Sequence, residues 1–549
     1  NRRGGNKMGG SARFYLTDGA FQSNNLTPEL QSEGITNFNK IQQIKDFGVS
    51  AGGPILKDRI WWWGAYGVQD LFAYTIHDTE DRTLFGNYNL KLNAQLFAGN
   101  QFEAMFTSSS KDKFGENASV AKPEGDHQFR LHPLGSSFVK IQDEQAVGNN
   151  FFLSLKFTSS NTGTVTRPMV DEDLVNPVTW DVGNAIYVPY SSDHGRSWDS
   201  SSEIRMRKDL RIAATLYQDS LLGMSHEIKG GLEFSTKKAA REWGYSQDFE
   251  VLRNFVDPLI DLGEGLVVPP SDWQYIRVGR ENLDVVLAKQ ASGYLQDTIS
   301  SGRFTLMLGL RYDRQAPSTG AYTLATVKSS NPAWSDLFNS VLMNALKAYL
   351  PPLEVNAISS RYRWSTWSPR IGLSWDISGN GRTVAKLAVS QYGDLMSAGF
   401  GTSRPLGLGG GIGFWWKDTD GDGIIKPEET CWQYSAAHAE SPYELYQFLD
   451  TNGLYTDETR AALEGGFEGD AYLAGNYWDY DWLNPSAIDY DNLTTFYRSD
   501  VDPDAKNVKS SPRTREIMLS LEREISRDLT ASVSATYRRY DNFDWAKLY

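Results

Sequence analysis

Apolar and polar residues alternate singly along most of this chain, in runs of about ten residues separated by turn-rich links, the length of a tilted strand crossing a bilayer. From Phe304 to Tyr312 the even positions are Phe304, Leu306, Leu308, Leu310 and Tyr312, and the odd ones are Thr305, Met307, Gly309 and Arg311. Phe151, Leu153, Leu155 and Phe157 alternate in the same way with Phe152, Ser154, Lys156 and Thr158. Near the end, Leu529, Ala531, Val533, Ala535 and Tyr537 alternate with Thr530, Ser532, Ser534, Thr536 and Arg538. Successive side chains of a strand point to opposite faces, so each run has one apolar and one polar face. Charged residues such as Lys156, Lys229, Glu233 and Arg311 on the second face require water there. Two architectures produce this pattern: a soluble β-sandwich or propeller, and a membrane barrel with lipid outside and a wet lumen.

The links separate the two. About fifteen strands are expected, near 10–18, 43–53, 60–70, 83–96, 101–111, 137–146, 151–160, 204–219, 226–238, 284–298, 303–314, 366–377, 383–394, 512–525 and 529–540. Every second link is a tight turn: Leu56 to Arg59, Phe97 to Asn100, Val147 to Asn150, Leu221 to Ser225, Ser300 to Gly302, Ser378 to Arg382 and Ser526 to Asp528. Between them lie long polar links, among them 161–203, 239–283, 315–365 and 395–511. A sandwich has no reason to sort its connections by length, whereas an outer-membrane barrel has short periplasmic turns and long extracellular loops. The expected fold is therefore all-β, a transmembrane antiparallel β-barrel with long, partly helical extracellular loops. Trp61, Trp62, Trp63 and Tyr66, just after a tight turn, suit an aromatic girdle at the membrane interface.

Composition narrows the function. The 549 residues carry a net charge of −14, which argues against nucleic acid as a partner. The single Cys, Cys431, rules out an internal disulfide framework. No apolar run is long enough for a transmembrane helix, so membrane crossing rests on strands. The six His, His77, His127, His132, His194, His226 and His438, show no H-E-x-x-H or close metal spacing and read as solvated loop or lumen-facing groups. Gly407 to Gly413 lacks the strand-to-helix context of a phosphate loop and reads as flexible loop. No catalytic constellation emerges, and an enzyme is not expected.

Four stretches carry a resemblance: GGNKMGGSARFYL (4–16), FGVSAGGPILKDRIWWWGAYG (47–67), SGYLQDTISSGRFTLMLGLRYDR (292–314) and SPRIGLSWDISGNGRTVAKLAVSQYGD (368–394). They resemble TonB-dependent outer-membrane transporters, in particular the Oar-like branch, as strand-turn-strand hairpins rather than as a catalytic signature. The resemblance implies a barrel of about 22 strands with a plugged lumen, of which about 15 stand in this chain. It also implies outer-membrane lipid around the wall and a TonB complex engaged through an N-terminal region outside these residues. On this reading residues 1–10 are the end of the plug or its linker. Residues 11–549 are barrel, incomplete at the C-terminus because an odd strand count leaves the two ends on opposite rims.

One motif has definite chemistry. Asp418-Thr419-Asp420-Gly421-Asp422-Gly423-Ile424-Ile425-Lys426-Pro427-Glu428-Glu429 fits the D-x-D-x-D-G-x5-E calcium loop. Ca²⁺ takes about six to eight hard oxygens. Here they come from the carboxylates of Asp418, Asp420 and Asp422, the carbonyl of Ile424 and the bidentate carboxylate of Glu429. Lys426 cannot ligate while protonated, so a water fills its place. The bland alternative is an acidic turn that binds nothing. Because no helix is expected before Trp416, bound Ca²⁺ would be a structural staple for the link 395–511 rather than a paired, opening EF-hand.

That link reads as a subdomain. Ser441-Pro442-Tyr443-Glu444 resembles a capped helix start, and Thr456 to Leu463 a second short helix before Gly465 and Gly466. The aromatics from Tyr472 to Trp482 can stack on sugars, grip peptide side chains or simply pack the loop. A further outer helix is expected over Trp334 to Leu350. Three functions follow: active uptake of a large or scarce solute such as an oligopeptide or oligosaccharide, a barrel-anchored surface or adhesion protein with a calcium-stabilised loop, and, least supported, a passive porin. A surface lipoprotein or another envelope protein is a further candidate partner.

Overall fold

The computed structural model describes residues 4–116, 118, 125–130, 135–169, 178–181, 186–187, 200–244, 249–253, 273–279, 282–324, 352–355, 357, 363–396, 411–417, 419–421, 430–431 and 511–542. One antiparallel sheet of sixteen strands dominates it. Its first half comprises β1 (Gly9–Asp18), β2 (Lys40–Leu56), β3 (Ile60–Tyr74), β4 (Glu80–Ala94), β5 (Asn100–Glu116), β6 (Asp126–Arg130), β7 (Ser136–Val147) and β8 (Phe151–Pro168). The second half comprises β9 (Ser200–Leu221), β10 (Met224–Gly244), β11 (Asn282–Ser301), β12 (Phe304–Thr319), β13 (Trp364–Asp376), β14 (Thr383–Gly393), β15 (Arg513–Ser526) and β16 (Leu529–Asp541). Strands follow one another in space as in sequence, as a meander of hairpins does.

β6 and β7 share one place between β5 and β8. Lys113 of β5 faces Gln128, and Ser109, four residues earlier, faces Ser136. They occupy one strand position in two pieces, so sixteen strands fill fifteen positions. Gly135, just before β7, has φ +75° and lies where a Cβ would meet the Ser109 carbonyl, so no other residue fits without moving β5. Among the described residues β1 and β16 do not pair with each other, and both are open to solvent on both faces.

The expected alternation sorts the two faces. Leu155, Leu232, Leu295, Leu308, Ile371 and Leu519 lie on the outward face and are exposed. Exposed aliphatic side chains covering a whole sheet face are uncommon in water and normal against lipid. Along β12 the apolar belt runs from Phe304, stacked on Trp375, to Tyr312, packed on Trp367. Those eight steps cover about 27 Å of tilted strand, the scale of a bilayer's apolar band. Of the aromatic cluster after the first tight turn, Trp62 and Tyr66 face outward, and Tyr66 packs on Tyr88 at 4.9 Å. Trp61 and Trp63 face the other way, because consecutive strand residues cannot share a face. The expectation that all four form a girdle is corrected to that extent.

Tight turns gather on one rim and long links on the other. The exception on the long-link rim is 75–79, a short connection closed by the Thr75 and Thr79 hydroxyls at 2.6 Å. There the Lys40 ammonium, 2.9 Å away, and the amide of Asn37 hold the Asp78 carboxyl below the usual carboxylate range. The link 19–39 contains a 3-10 turn at Gly19–Phe21 and one short helix, α1 (Pro28–Ser32), capped by Thr27, whose hydroxyl accepts from the Leu30 amide at 3.3 Å. No helix among the described residues is long and apolar enough to cross a membrane. The expected helices at 334–350, 441–449 and 456–463 and the aromatics of 472–482 lie outside the described residues.

The long links build a second sheet of six short strands. Its order is Ile186–Tyr187, Val178–Asp181, Phe249–Arg253, Trp273–Gly279, Gly411–Lys417 and Thr430–Cys431. Three separate links contribute, and Val178–Asp181 and Phe249–Arg253 pair in parallel. Ile276 at its centre is fully buried. The Gly-rich run expected to be loop is partly strand, since Gly411 and Gly413 pair with Gly279 and Arg277. Glycine's weak intrinsic preference is overridden there by the backbone ladder of a neighbouring strand.

Candidate functional site: the inner wall and the outer-loop sheet

The polar face of the wall carries a series of ion pairs, within strands and between them. On β4, β5 and β7, Glu103 receives Lys91 at 2.7 Å and Lys140 at 2.8 Å, and the Asn93 amide donates to it at 3.2 Å. Lys91 is only 4% exposed, which a protonated amine tolerates because Glu103 sits beside it. Further round, the Arg311 guanidinium bridges Glu233 at 2.7 Å and Asp313 at 2.9 Å. The Ser292 hydroxyl donates to Asp313 at 2.6 Å. Arg207 pairs with Asp209 at 2.9 Å, and Thr158 donates to the same carboxylate at 3.2 Å. Lys386 with Glu522 and Arg538 with Glu516 continue the series, and Arg13 with Asp46 does so at the other edge.

Each of these groups sits on the residue parity opposite the apolar belt, so pairs form along one strand, as Arg207 with Asp209, between adjacent strands, as Lys386 with Glu522, or over an intervening strand, as Arg311 with Glu233. The result is a wall of fixed, mutually satisfied charges suited to a polar content. Replacing Glu103 with Ala strands Lys91 among its neighbours. We expect a loss of about 1–3 kcal/mol in denaturant unfolding, while Glu103→Gln, which keeps one acceptor, loses less.

Two histidines depart from the expectation of solvated or lumen-facing groups. His226 is 6% exposed on the outward face, its Nδ1 2.7 Å from Asp297. His127, also outward, is stacked on Phe114 at 4.4 Å. Both partners come from neighbouring strands, which no local motif reveals. His77 is exposed, and His132, His194 and His438 lie outside the described residues.

Of the five candidate calcium ligands, Asp420 is described; it is exposed in a bend next to Gly421, whose φ is +76°. Asp418, Asp422, Ile424 and Glu429 lie outside the described residues. The loop's stem is described: Trp415 pairs with Cys431 and Trp416 with Thr430, so residues 418–429 leave and re-enter a two-stranded ladder. A strand, not a helix, precedes the motif.

At the opposite rim, Asn6 accepts hydrogen bonds from the Asp58 amide at 2.9 Å and from Trp61 Nε1 at 2.8 Å. The segment ahead of β1 is thereby fixed to the inward side of the β2–β3 turn, the face to which strand parity turns Trp61.

Comparison with known proteins decides the environment. The family described as "Outer membrane beta barrel domain" matches residues 217–418. The outer membrane transporter YddB from Escherichia coli superposes with a TM-score of 0.51 at 11% identity, covering 97% of this chain and 52% of that one. Its fold is that of an outer-membrane β-barrel. Its wall stands in the bacterial outer membrane, with the tight turns periplasmic and the long links extracellular. It is also similar to the "TonB-dependent transporter Oar" of Myxococcus xanthus, 36% identical over 67 residues, which are 12% of this chain and 6% of that protein. The siderophore receptor PirA of Acinetobacter baumannii aligns at 9% identity and a TM-score of 0.45, over 98% of this chain and 53% of its own. The chain thus spans about half the length of the solved barrels it matches. These similar proteins are transporters and receptors, not enzymes.

Proposed function

We propose that this barrel is the wall of an energy-coupled transporter for a large polar solute, an oligopeptide or an oligosaccharide, driven by the TonB complex through a region outside these residues. One observation supports it most: a satisfied, ion-paired inner wall lies beneath an extracellular sheet assembled from three links. A passive pore has no use for such a sheet. The fixing of Asn6 to the β2–β3 turn fits residues 1–10 as the tail of a plug entering the wall. The aromatics of 472–482 are the segment of the outer links suited to gripping sugar rings or peptide side chains.

The test uses the full-length protein in its own membrane, with cells offered labelled mixtures of oligopeptides and of oligosaccharides. Uptake of one class should appear with the protein and collapse when the inner-membrane proton gradient is discharged. Uptake indifferent to the gradient would make the barrel a passive pore, and no uptake of either class would leave it a surface anchor.

Calcium belongs to the same reading. The hairpin stem holds the ends of residues 418–429 together, as the helix pair does in other loops of this type, and supports Asp418, Asp420, Asp422, the Ile424 carbonyl and Glu429 as one structural Ca²⁺ site. The ion would offset the ordering entropy of the long link 394–512.

A further inference from the structure

On the outer wall, three cations stand without partners. Lys208 on β9, Lys289 on β11 and Arg314 on β12 are exposed, and among the described residues none has a carboxylate in reach. By contrast, Arg207 and Arg311, their neighbours on the lumen face, are paired. The register brings the three together. Lys208 faces Thr236, Thr236 faces Lys289, and Ala291, two residues below Lys289, faces Arg314. All three line one outward groove of about 510 Å³, floored by Phe157, Leu210 and Phe234.

Depth follows from the same ladder. The row below Arg314 is Gly293 against Tyr312 against Trp367, the aromatic pair at the extracellular edge of the apolar belt. Cations just above an aromatic girdle lie at head-group level. Beneath them a second outward groove, of about 670 Å³, runs down the wall over Gly293 between Leu295, Leu308, Leu310 and Trp367. It is open because Gly293 has no side chain: a Cβ there would meet nothing closer than Leu232 at 3.4 Å.

We infer that this face is a binding site for a phosphate-bearing lipid of the outer leaflet, its phosphates held by Lys208, Lys289 and Arg314 and an acyl chain seated in the groove over Gly293. Charge complementarity selects the occupant. Three unpaired cations within two adjacent rows of one face attract an anionic head, and a neutral lipid gains nothing from them. The guanidinium of Arg314 adds the fork geometry that suits phosphate oxygens. The inference rests on the outer-membrane location and is independent of what the barrel transports.

Native mass spectrometry of the full-length protein in a neutral detergent tests it. The probes are a bisphosphorylated, acylated glucosamine disaccharide, the same lipid with its phosphates removed, and inorganic phosphate. The phosphorylated lipid should bind and its dephosphorylated form should bind at least about tenfold more weakly. Lys208→Gln, Lys289→Gln and Arg314→Gln should each cost about fivefold, and the triple variant roughly a hundredfold. Gly293→Leu, which fills the acyl groove and leaves the cations in place, should lower lipid binding about tenfold without affecting heat-modifiable migration of the folded barrel. Equal binding of the two lipids, unchanged binding by the triple variant, or displacement by millimolar inorganic phosphate would each overturn the site.

Discussion

An arginine at Leu310 should destabilise the barrel by about 2–4 kcal/mol, while an arginine at Gln296, one strand away at nearly the same depth, should cost less than about 1 kcal/mol. The two positions differ in face. Leu310 lies on the outward belt between Phe304 and Tyr312, flanked by Leu295 and Pro369 on the neighbouring strands, so its replacement puts a guanidinium into hydrocarbon. Gln296 stands opposite Gly309 on the lumen face, where a long polar side chain has room and water. Equilibrium unfolding of the full-length protein from lipid vesicles measures both. Equal penalties would mean that the faces are exchanged or that neither meets lipid, and the assignment of belt and lumen would fail with them.

Removal of calcium should expose the longest extracellular link to protease and leave the wall untouched. With Mg²⁺ held in excess and Ca²⁺ chelated selectively, cleavage within 394–512 should accelerate, while the folded barrel keeps its heat-modifiable migration. Asp418→Asn and Glu429→Gln should each weaken Ca²⁺ binding about tenfold or more by calorimetry, since each removes charge from the ligand set. Asp420→Asn should follow them, whereas Thr419→Ala, between ligands, should not. Equal protease resistance with and without the ion would reduce the motif to an acidic turn.

The wall was legible in the sequence because lipid on one side and water on the other force a period of two on every strand. Each expected strand overlaps an observed one on the strength of that pattern and its turns. Where the pattern failed, one of the two solvents was missing. β8 runs on to Pro168 and β12 to Thr319, past the expected ends at 160 and 314, because above the membrane both faces meet water and alternation loses its cause. β6 carried no signal of its own because Pro133 and Gly135 announce a turn in the middle of what the ladder treats as one strand.

The site was less legible than the wall. That Lys, Glu and Arg sit on the lumen face follows from parity, but the pairing of Arg311 with Glu233, 78 residues apart, depends on register between strands that local sequence does not encode. The same holds for His226 with Asp297, 71 residues apart. The outer-loop sheet was invisible for a related reason. Its strands run from two to seven residues, too short to show a period, and they find partners across three different links. The calcium motif is the opposite case, since all its candidate ligands lie within twelve consecutive residues and their spacing alone proposes them.

That shared sheet changes how the mouth of the barrel opens. Links hinged separately would swing aside singly, each at its own small cost. Here Phe249–Arg253 and Trp273–Gly279, both from the link 239–283, are laced to Val178–Asp181 of one neighbouring link and to Gly411–Lys417 of another, so displacing any of the three links either tears a ladder of hydrogen bonds or drags the others along. For the transporter proposed above, access would be collective, since a solute that bridges two links loads the ladder to the third.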